Sequence, residues 1–273
     1  ITHVIRGDDH LNNTARQAHI YQALGVPAPA FAHIPLILAP DGHKLSKRHG
    51  TVSVLEYREA GYLPEALLNY LVRLGWSHGD QEVFSRAEMV ALFDIKDVNK
   101  SAAAINPDKL LWLNQHYLKQ AAPQDLAPLL GERLRAAGVD TANGPALDQV
   151  AQVQQSRTKT LNEMVDQSRL FYEADITLEP ALAGKQLQAD IRAPLAAVAD
   201  GLTALQTWND EAIHALLEQI AARFQMKIGK LAQPLRVAVT GGSVSPSIDK
   251  TLRLLGRERS LARIRGAIEY IDI

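Results

Sequence analysis

The chain has 273 residues, 47% hydrophobic but only 5% aromatic, and no cysteine, so Leu, Ala, Val and Ile must fill its cores, and disulfides and thiolate metal sites are excluded. Its formal net charge of −1 excludes a surface coated in positive charge for indiscriminate nucleic-acid binding, though not a local basic patch. No apolar run approaches membrane-spanning length, no secretory signal opens the sequence, and the nine histidines lack metal-ligand spacing, so the expectation is a cytoplasmic protein with no membrane-embedded part and no metal site of its own.

Residues 2–6 are β-prone and lead into a polar loop. Thr14-x-x-Gln17 reads as a capping box opening a helix with Ile20, Ala23 and Leu24 on one face, ended by Gly25 and Pro27. His33–Ala39 reads as a short buried strand, giving strand–helix–strand over the first 40 residues. Pro40-Asp41-Gly42 is a turn signal, which puts the run Lys44-Leu45-Ser46-Lys47-Arg48-His49-Gly50 on a loop. From about residue 52 the pattern turns helical. Pro64 opens a helix that Gly75 closes, Ser85-x-x-Glu88 is a second capping box, and Asn106-Pro107 starts a helix through Tyr117. Residues 123–138 form an amphipathic helix ended by Gly138, and 145–175 hold two more. A looser stretch is expected at 176–187, then helices near 190–205, 210–225, 228–239, 247–255 and 258–271. No repeat of fixed period is evident. The chain thus reads as mainly α and multidomain, α/β at its start and all-helical over its last 150 residues.

A cationic, hydroxyl-bearing loop suits a nucleotide's polyphosphate: ammonium groups offset charge that develops as a phosphate bond breaks, and a serine donates to an oxygen. On composition alone, a basic run is more often solvated surface. Arg6 follows a strand that aims it, and a guanidinium grips a carboxylate through two parallel hydrogen bonds, although an ion pair with Asp8 or Asp9 would serve the same residue. The arginines at 253, 257, 259, 263 and 265 make either a basic patch or a solvated helix face, with equal support. Trp76, Trp112 and Trp208 read as core, and Gly241-Gly242-Ser243 as a link between helices.

Three further segments surround the basic loop: Thr2-His3-Val4-Ile5-Arg6-Gly7-Asp8-Asp9-His10 with Asn13-Thr14-Ala15-Arg16-Gln17, then Gly61–Leu71 and Leu74-Gly75-Trp76-Ser77. Pro234–Gly241 and Leu254-Leu255-Gly256-Arg257-Glu258 complete the series. In this order the motifs resemble the C-terminal half of the bacterial glutamyl-tRNA synthetases, a family of class I aminoacyl-tRNA synthetases, with Lys44–Arg48 as the family's Lys-Met-Ser-Lys-Ser loop in its Lys-Leu-Ser-Lys-Arg form. The His-x-Gly-His signature of class I synthetases does not occur here, and the sequence opens at Ile1 inside an apparent strand. The expectation is part of a longer protein, unable by itself to make the adenylate.

The resemblance implies the end of a Rossmann catalytic domain at 1–40, a stem-contact domain at 41–120, and helical anticodon-binding domains at 121–180 and 181–273. It implies ATP-dependent ligation of L-glutamate to tRNA(Glu) through glutamyl-adenylate, with Mg2+ accompanying ATP, by a monomer. Lys44 and Lys47 become the catalytic candidates, and Asp9, Leu36, Ile37, Lys44, Ser46, Lys47 and Arg48 the ATP-binding set. Within it Asp9 meets the ribose, and Leu36 and Ile37 meet adenine through their backbones. Arg6 binds the glutamate substrate, and Arg157 reads an anticodon base, where paired guanidinium donors suit a base edge. Asp8 stands where the family usually has Glu. The alternative is a non-catalytic tRNA-binding module derived from a synthetase.

Overall fold

The structure, a computed structural model, describes residues 1–45 and 53–272. The chain divides into two compact units, Ile1–Gln120 and Ala121–Ile273.

The first unit opens with β1 (His3–Gly7), a 3-10 turn at Asp8–His10, α1 (Leu11–Ala23) and β2 (Ala30–Ile34). β2 runs parallel to β1, with His3 opposite Ala30, Arg6 opposite His33 and Gly7 opposite Ile34. Parallel neighbours need a crossover, and α1 supplies it. The helix starts three residues before Thr14, with His10 at its N-cap and no side-chain cap bond. The expected capping box is therefore absent, because the Thr14 hydroxyl is engaged by Arg6 and His33. The strand expected at 33–39 is two. Proline has no N–H for a ladder, so β2 ends just before Pro35, and β3 (Ile37–Leu38) joins a different sheet beside β4 (Ala103–Ala104). Nor is the segment a buried one, since Ile34 and Ile37 are exposed.

Four helices complete this unit: α2 (Val54–Glu59), α3 (Pro64–Gly75), α4 (Arg86–Leu92) and α5 (Pro107–Gln120). Ser53 with Glu56 and Ser85 with Glu88 form full capping boxes, satisfying N–H groups a helix start leaves unpaired. Leu67 and Tyr70 of α3 pack on Leu110 and Leu113 of α5, and Trp76 packs with Phe84 and Met89 beside them in sequence. Two wholly buried asparagines tie these layers. The Asn69 amide donates to the Glu82 carbonyl (2.9 Å) and accepts from the Phe84 N–H (2.6 Å), while Asn114 accepts from the Leu63 N–H (2.8 Å). Trp112 is not core: it is 49% exposed. On α5 the inward face carries Leu110, Leu113, Asn114 and Leu118, and residue 112 lies two steps of 100° from 110, on the far side.

The second unit is all-helical among its described residues: α6 (Pro123–Ala136), α7 (Leu147–Gln154), α8 (Leu161–Ser168), α9 (Pro180–Gln186), α10 (Ala189–Ala204), α11 (Asp210–Arg223), α12 (Ile228–Thr240), α13 (Ile248–Leu255) and α14 (Arg257–Ile271). α6 packs on α7 and α8, burying Leu126, Leu130 and Leu134 with Val150, Leu161 and Met164. α10 packs on α11 and α14, and α12 on α9, α11 and α14. The stretch expected to be loose contains α9, for which Pro180 sits at the first helical turn, pre-set in φ and lacking an N–H that would go unpaired. The Gly241 turn ends α12, and the Thr177 carbonyl lies so close to Gly241 that a Cβ would collide with it. The turn is a packed link between helices, as its sequence suggests.

Candidate functional site

In the first unit, three elements converge on the Arg6 guanidinium. It leaves β1 and stacks over the Phe31 ring of β2, 5.4 Å from the centroid. Arg6 Nη2 donates to Thr14 Oγ1 of α1 (2.9 Å), and Arg6 Nε to His33 Nε2 of β2 (3.4 Å). Thr14 Oγ1 and His33 Nε2 are themselves 2.9 Å apart. Among the described residues Arg6 forms no ion pair with Asp8 or Asp9. Its neighbours are instead Thr14, His33 and Phe31.

Asp9 is bound instead by Lys44, with Nζ 3.0 Å from Oδ2. The Lys44 hydrogen bond is the main cause that holds the Asp9 carboxyl below the usual carboxylate range. Its other oxygen, Oδ1, lies 2.6 Å from where a Cβ on Gly7 would stand, so only glycine at position 7 lets the carboxylate fold back on its own turn. Lys44 comes from a hairpin. The Gly42 N–H donates to the Ala39 carbonyl (2.9 Å), the Ala39 N–H to the His43 carbonyl (2.7 Å), and Lys44 bridges Leu38 antiparallel. Gly42 has φ +82°, and Asp41 accepts from the His43 N–H at 3.0 Å, the pattern of a three-residue loop with glycine at its left-handed position. Ser46, Lys47 and Arg48 lie outside the described residues.

Leu36 and Ile37 border a mainly apolar cavity of about 180 Å³, together with Leu71, Trp76 and Phe93. The Ile37 carbonyl accepts from the Leu45 N–H (3.2 Å), and the Leu38 carbonyl from the Ile105 N–H (2.8 Å). Asp8 is exposed in the first turn of the 3-10 helix.

In the second unit, Arg157 is exposed in the turn between α7 and α8. Its N–H donates to the Gln154 carbonyl (2.8 Å), and Gln154 in turn is fixed by donating from Nε2 to the Gln167 carbonyl (2.7 Å). A second arginine stands near it. Arg236 of α12 is held by Ser245 Oγ (2.9 Å) and Gln233 Oε1 (2.8 Å), and burial together with the Arg157 charge lowers its guanidinium pKa. Each guanidinium therefore feels the other's charge. Arg157 stands out in the sequence and Arg236 does not, because their proximity depends on helix packing across 79 positions of chain.

Of the C-terminal arginines only Arg265 lies on a solvated face; the other four are engaged. Arg253 pairs with Asp210 (2.6 Å). Arg257 donates to the carbonyls of Thr203 (3.2 Å) and Leu205, and its guanidinium lies 5.3 Å from the Trp208 ring centroid. Arg259 donates to the carbonyls of Phe171 and Asn143. Arg263, nearly buried, donates to those of Val239 (2.8 Å), Leu170 (2.9 Å) and Glu173 (2.7 Å), and burial lowers its guanidinium to about 10. These cations complement helix ends whose carbonyls lack partners. Among the described residues no cluster of three His, Asp or Glu side chains could hold a metal ion, and no helix is long and apolar enough to cross a membrane.

Comparison with known proteins gives these sites a context. The family model for the catalytic domain of class I tRNA synthetases (E and Q) matches residues 1–112, and that for an anticodon binding domain matches residues 112–268. Glutamate–tRNA ligase 1 of Alkalilimnicola ehrlichii is 56% identical over 272 residues, 100% of this chain and 58% of that protein. Glutamate–tRNA ligase 2 of Coxiella burnetii is 56% identical over 271 residues, 99% of this chain and 58% of that protein. A crystal structure of a glutamate tRNA ligase from Elizabethkingia meningosepticum in complex with its amino acid superposes with a TM-score of 0.84 at 29% identity, covering 99% of this chain and 57% of that one. The chain thus spans 58% of the length of the curated relatives it matches, their C-terminal part. With the catalytic-domain model over its start, the anticodon-binding model after it and glutamate–tRNA ligases matched along its whole length, the chain belongs to the glutamyl-tRNA synthetase family of class I aminoacyl-tRNA synthetases.

Proposed function

We propose that this chain is part of an enzyme that ligates L-glutamate to tRNA(Glu) with ATP and Mg2+, through a glutamyl-adenylate. The observation that carries the reading is the meeting of Asp9 and Lys44 at 3.0 Å. They lie 35 positions apart in sequence, and the resemblance assigns each separately to ATP. An ATP molecule that takes both replaces their ion pair with two separate contacts: the Asp9 carboxylate accepts hydrogen bonds from ribose hydroxyls, and the Lys44 ammonium turns to the phosphates. Lys47, Ser46 and Arg48 extend that contact. Arg6 holds the glutamate carboxylate, and backbone groups at Leu36 and Ile37 meet adenine. Positioning and charge stabilisation then carry the reaction, with no covalent bond to the protein. Magnesium arrives with the phosphates and offsets their charge.

Arg157 with Arg236 forms the surface that receives the anticodon. Within the second unit the boundary between two anticodon-binding domains lies near residue 180, and residues 41–120 contact the acceptor stem. The protein acts as a cytoplasmic monomer.

The test uses the complete synthetase that carries this sequence. Lys44→Ala is expected to lower ATP–pyrophosphate exchange in the presence of tRNA by about 10²-fold or more, the typical effect of losing one preorganised donor, with tRNA affinity unchanged. Arg157→Ala is expected to do the reverse, weakening tRNA binding while ATP affinity stays normal. Loss of tRNA binding with exchange unaffected by Lys44→Ala would instead favour a non-catalytic tRNA-binding module.

A further inference from the structure

We propose that Thr14 and His33 are positioning residues for Arg6, fixing the direction in which its guanidinium meets a carboxylate of the amino-acid substrate. This rests on the reading of Arg6 as the glutamate ligand. A threonine inside a helix ordinarily turns its hydroxyl back to its own helix or out to water. Thr14 does neither. Its Oγ1 accepts from Arg6 Nη2 at 2.9 Å and stands 2.9 Å from His33 Nε2. His33 is the register partner of Arg6 across the parallel pair, and its Nε2 also faces Arg6 Nε at 3.4 Å. These contacts are compatible when His33 carries its proton on Nδ1, so that the one Nε2 lone pair accepts from Thr14 Oγ1 at 2.9 Å and is shared at longer range with Arg6 Nε at 3.4 Å.

The arrangement uses Arg6 Nε and one N–H of Nη2. It leaves Nη1 and the outer N–H of Nη2 as two parallel donors, the fork that a carboxylate accepts. Phe31 closes one face of the guanidinium. A side chain with several rotatable bonds is thereby fixed from three elements, and a binding group held by its neighbours' hydrogen bonds loses less freedom when ligand arrives.

The experiment measures ATP–pyrophosphate exchange by the complete synthetase, with tRNA, as a function of glutamate and of ATP. Thr14→Val keeps the shape and removes the hydroxyl, and the glutamate KM is expected to rise about tenfold, with kcat and the ATP KM within about twofold of the parent, the signature of lost ground-state binding. Thr14→Ser is expected to restore the parent value. His33→Phe, on a different element, is expected to reproduce the Thr14→Val effect, so a folding defect in one variant leaves the other to decide. In an Arg6→Gln background Thr14→Val should add nothing, since its effect passes through Arg6. Equal rises in both KM values, an additive double variant, or failure of Thr14→Ser to rescue would each overturn the positioning role. Arg6→Gln that leaves the glutamate KM unchanged would sink the assignment of Arg6 itself. A large effect of Arg6→Gln with Thr14→Val and His33→Phe both silent would sink only the positioning.

Discussion

At the scale of single residues, chemistry was legible where it depends on residue type and hidden where it depends on pairing. An arginine near a strand end, an acid in the following turn and lysines on a loop are residue types that suit anions and sugars. That Asp9 meets Lys44, 35 positions away, and that Thr14 serves Arg6 and His33, 8 and 19 positions away, does not. Local spacing made Thr14 a helix cap, and the tertiary partners won. The Asp9–Lys44 pair carries a pH dependence of definite sign. The Asp9 carboxyl lies below the usual range because Lys44 binds its charged form, so the pair's contribution is complete above that range and is lost as pH falls through the lowered value. A carbon-detected NMR titration is expected to place the Asp9 midpoint below that of an exposed aspartate, and Lys44→Met to return it upward. Both side chains are open to solvent, so added salt should raise the midpoint as well. A midpoint indifferent to Lys44→Met would mean the pair does not persist in solution.

At the scale of elements, helix punctuation carried most of the reading. Ser53 and Ser85 cap, Pro64 and Pro107 open, and Gly138 and Gly241 follow helix ends where their sequence context put them. The failures have two causes: periodicity does not report ladder partners, and it needs length to show. The run around Pro35 is apolar throughout, yet the missing N–H divides it between two sheets. Residues 180–186 are too few for a helical period to declare itself, and a proline that looked like a breaker proved to be a starter. Buried polar ties were also invisible. Asn69 sits on the inward face of α3, at a position a pattern would give to leucine, because the Phe84 N–H and the Glu82 carbonyl need partners there. Asn69→Ala should therefore destabilise the first unit by about 1–3 kcal/mol for each group left unpaired, read as a lower urea midpoint. A change below about 0.5 kcal/mol, usual for surface sites, would show that water replaces the amide.

At the scale of the whole molecule, a near-neutral composition conceals where the charge goes. In the second unit, Arg257, Arg259 and Arg263 of α14 donate to carbonyls at or beyond the ends of other helices, and Arg169 does so at Ala137 after α6. The sequence displayed these cations as a cluster but not their direction, since helix ends are brought to them only by packing. Arg263→Met keeps most of the volume while leaving the carbonyls of Val239, Leu170 and Glu173 unpaired. It should lower stability by about 3 kcal/mol or more, because hydrogen bonds to charged groups are worth about 1.5–3 kcal/mol each. Unfolding of the second unit, followed by circular dichroism in denaturant, checks it, and an unchanged midpoint would show that Arg263 is a passenger. Charge that terminates on the interior also bears on encounter with a polyanion. A guanidinium whose donors are spent on interior carbonyls has few left for a phosphate, so direct contact falls to exposed groups such as Arg157. A polyanion settling on this unit would then be held by those exposed groups alone, while the inward cations fix the contour it meets.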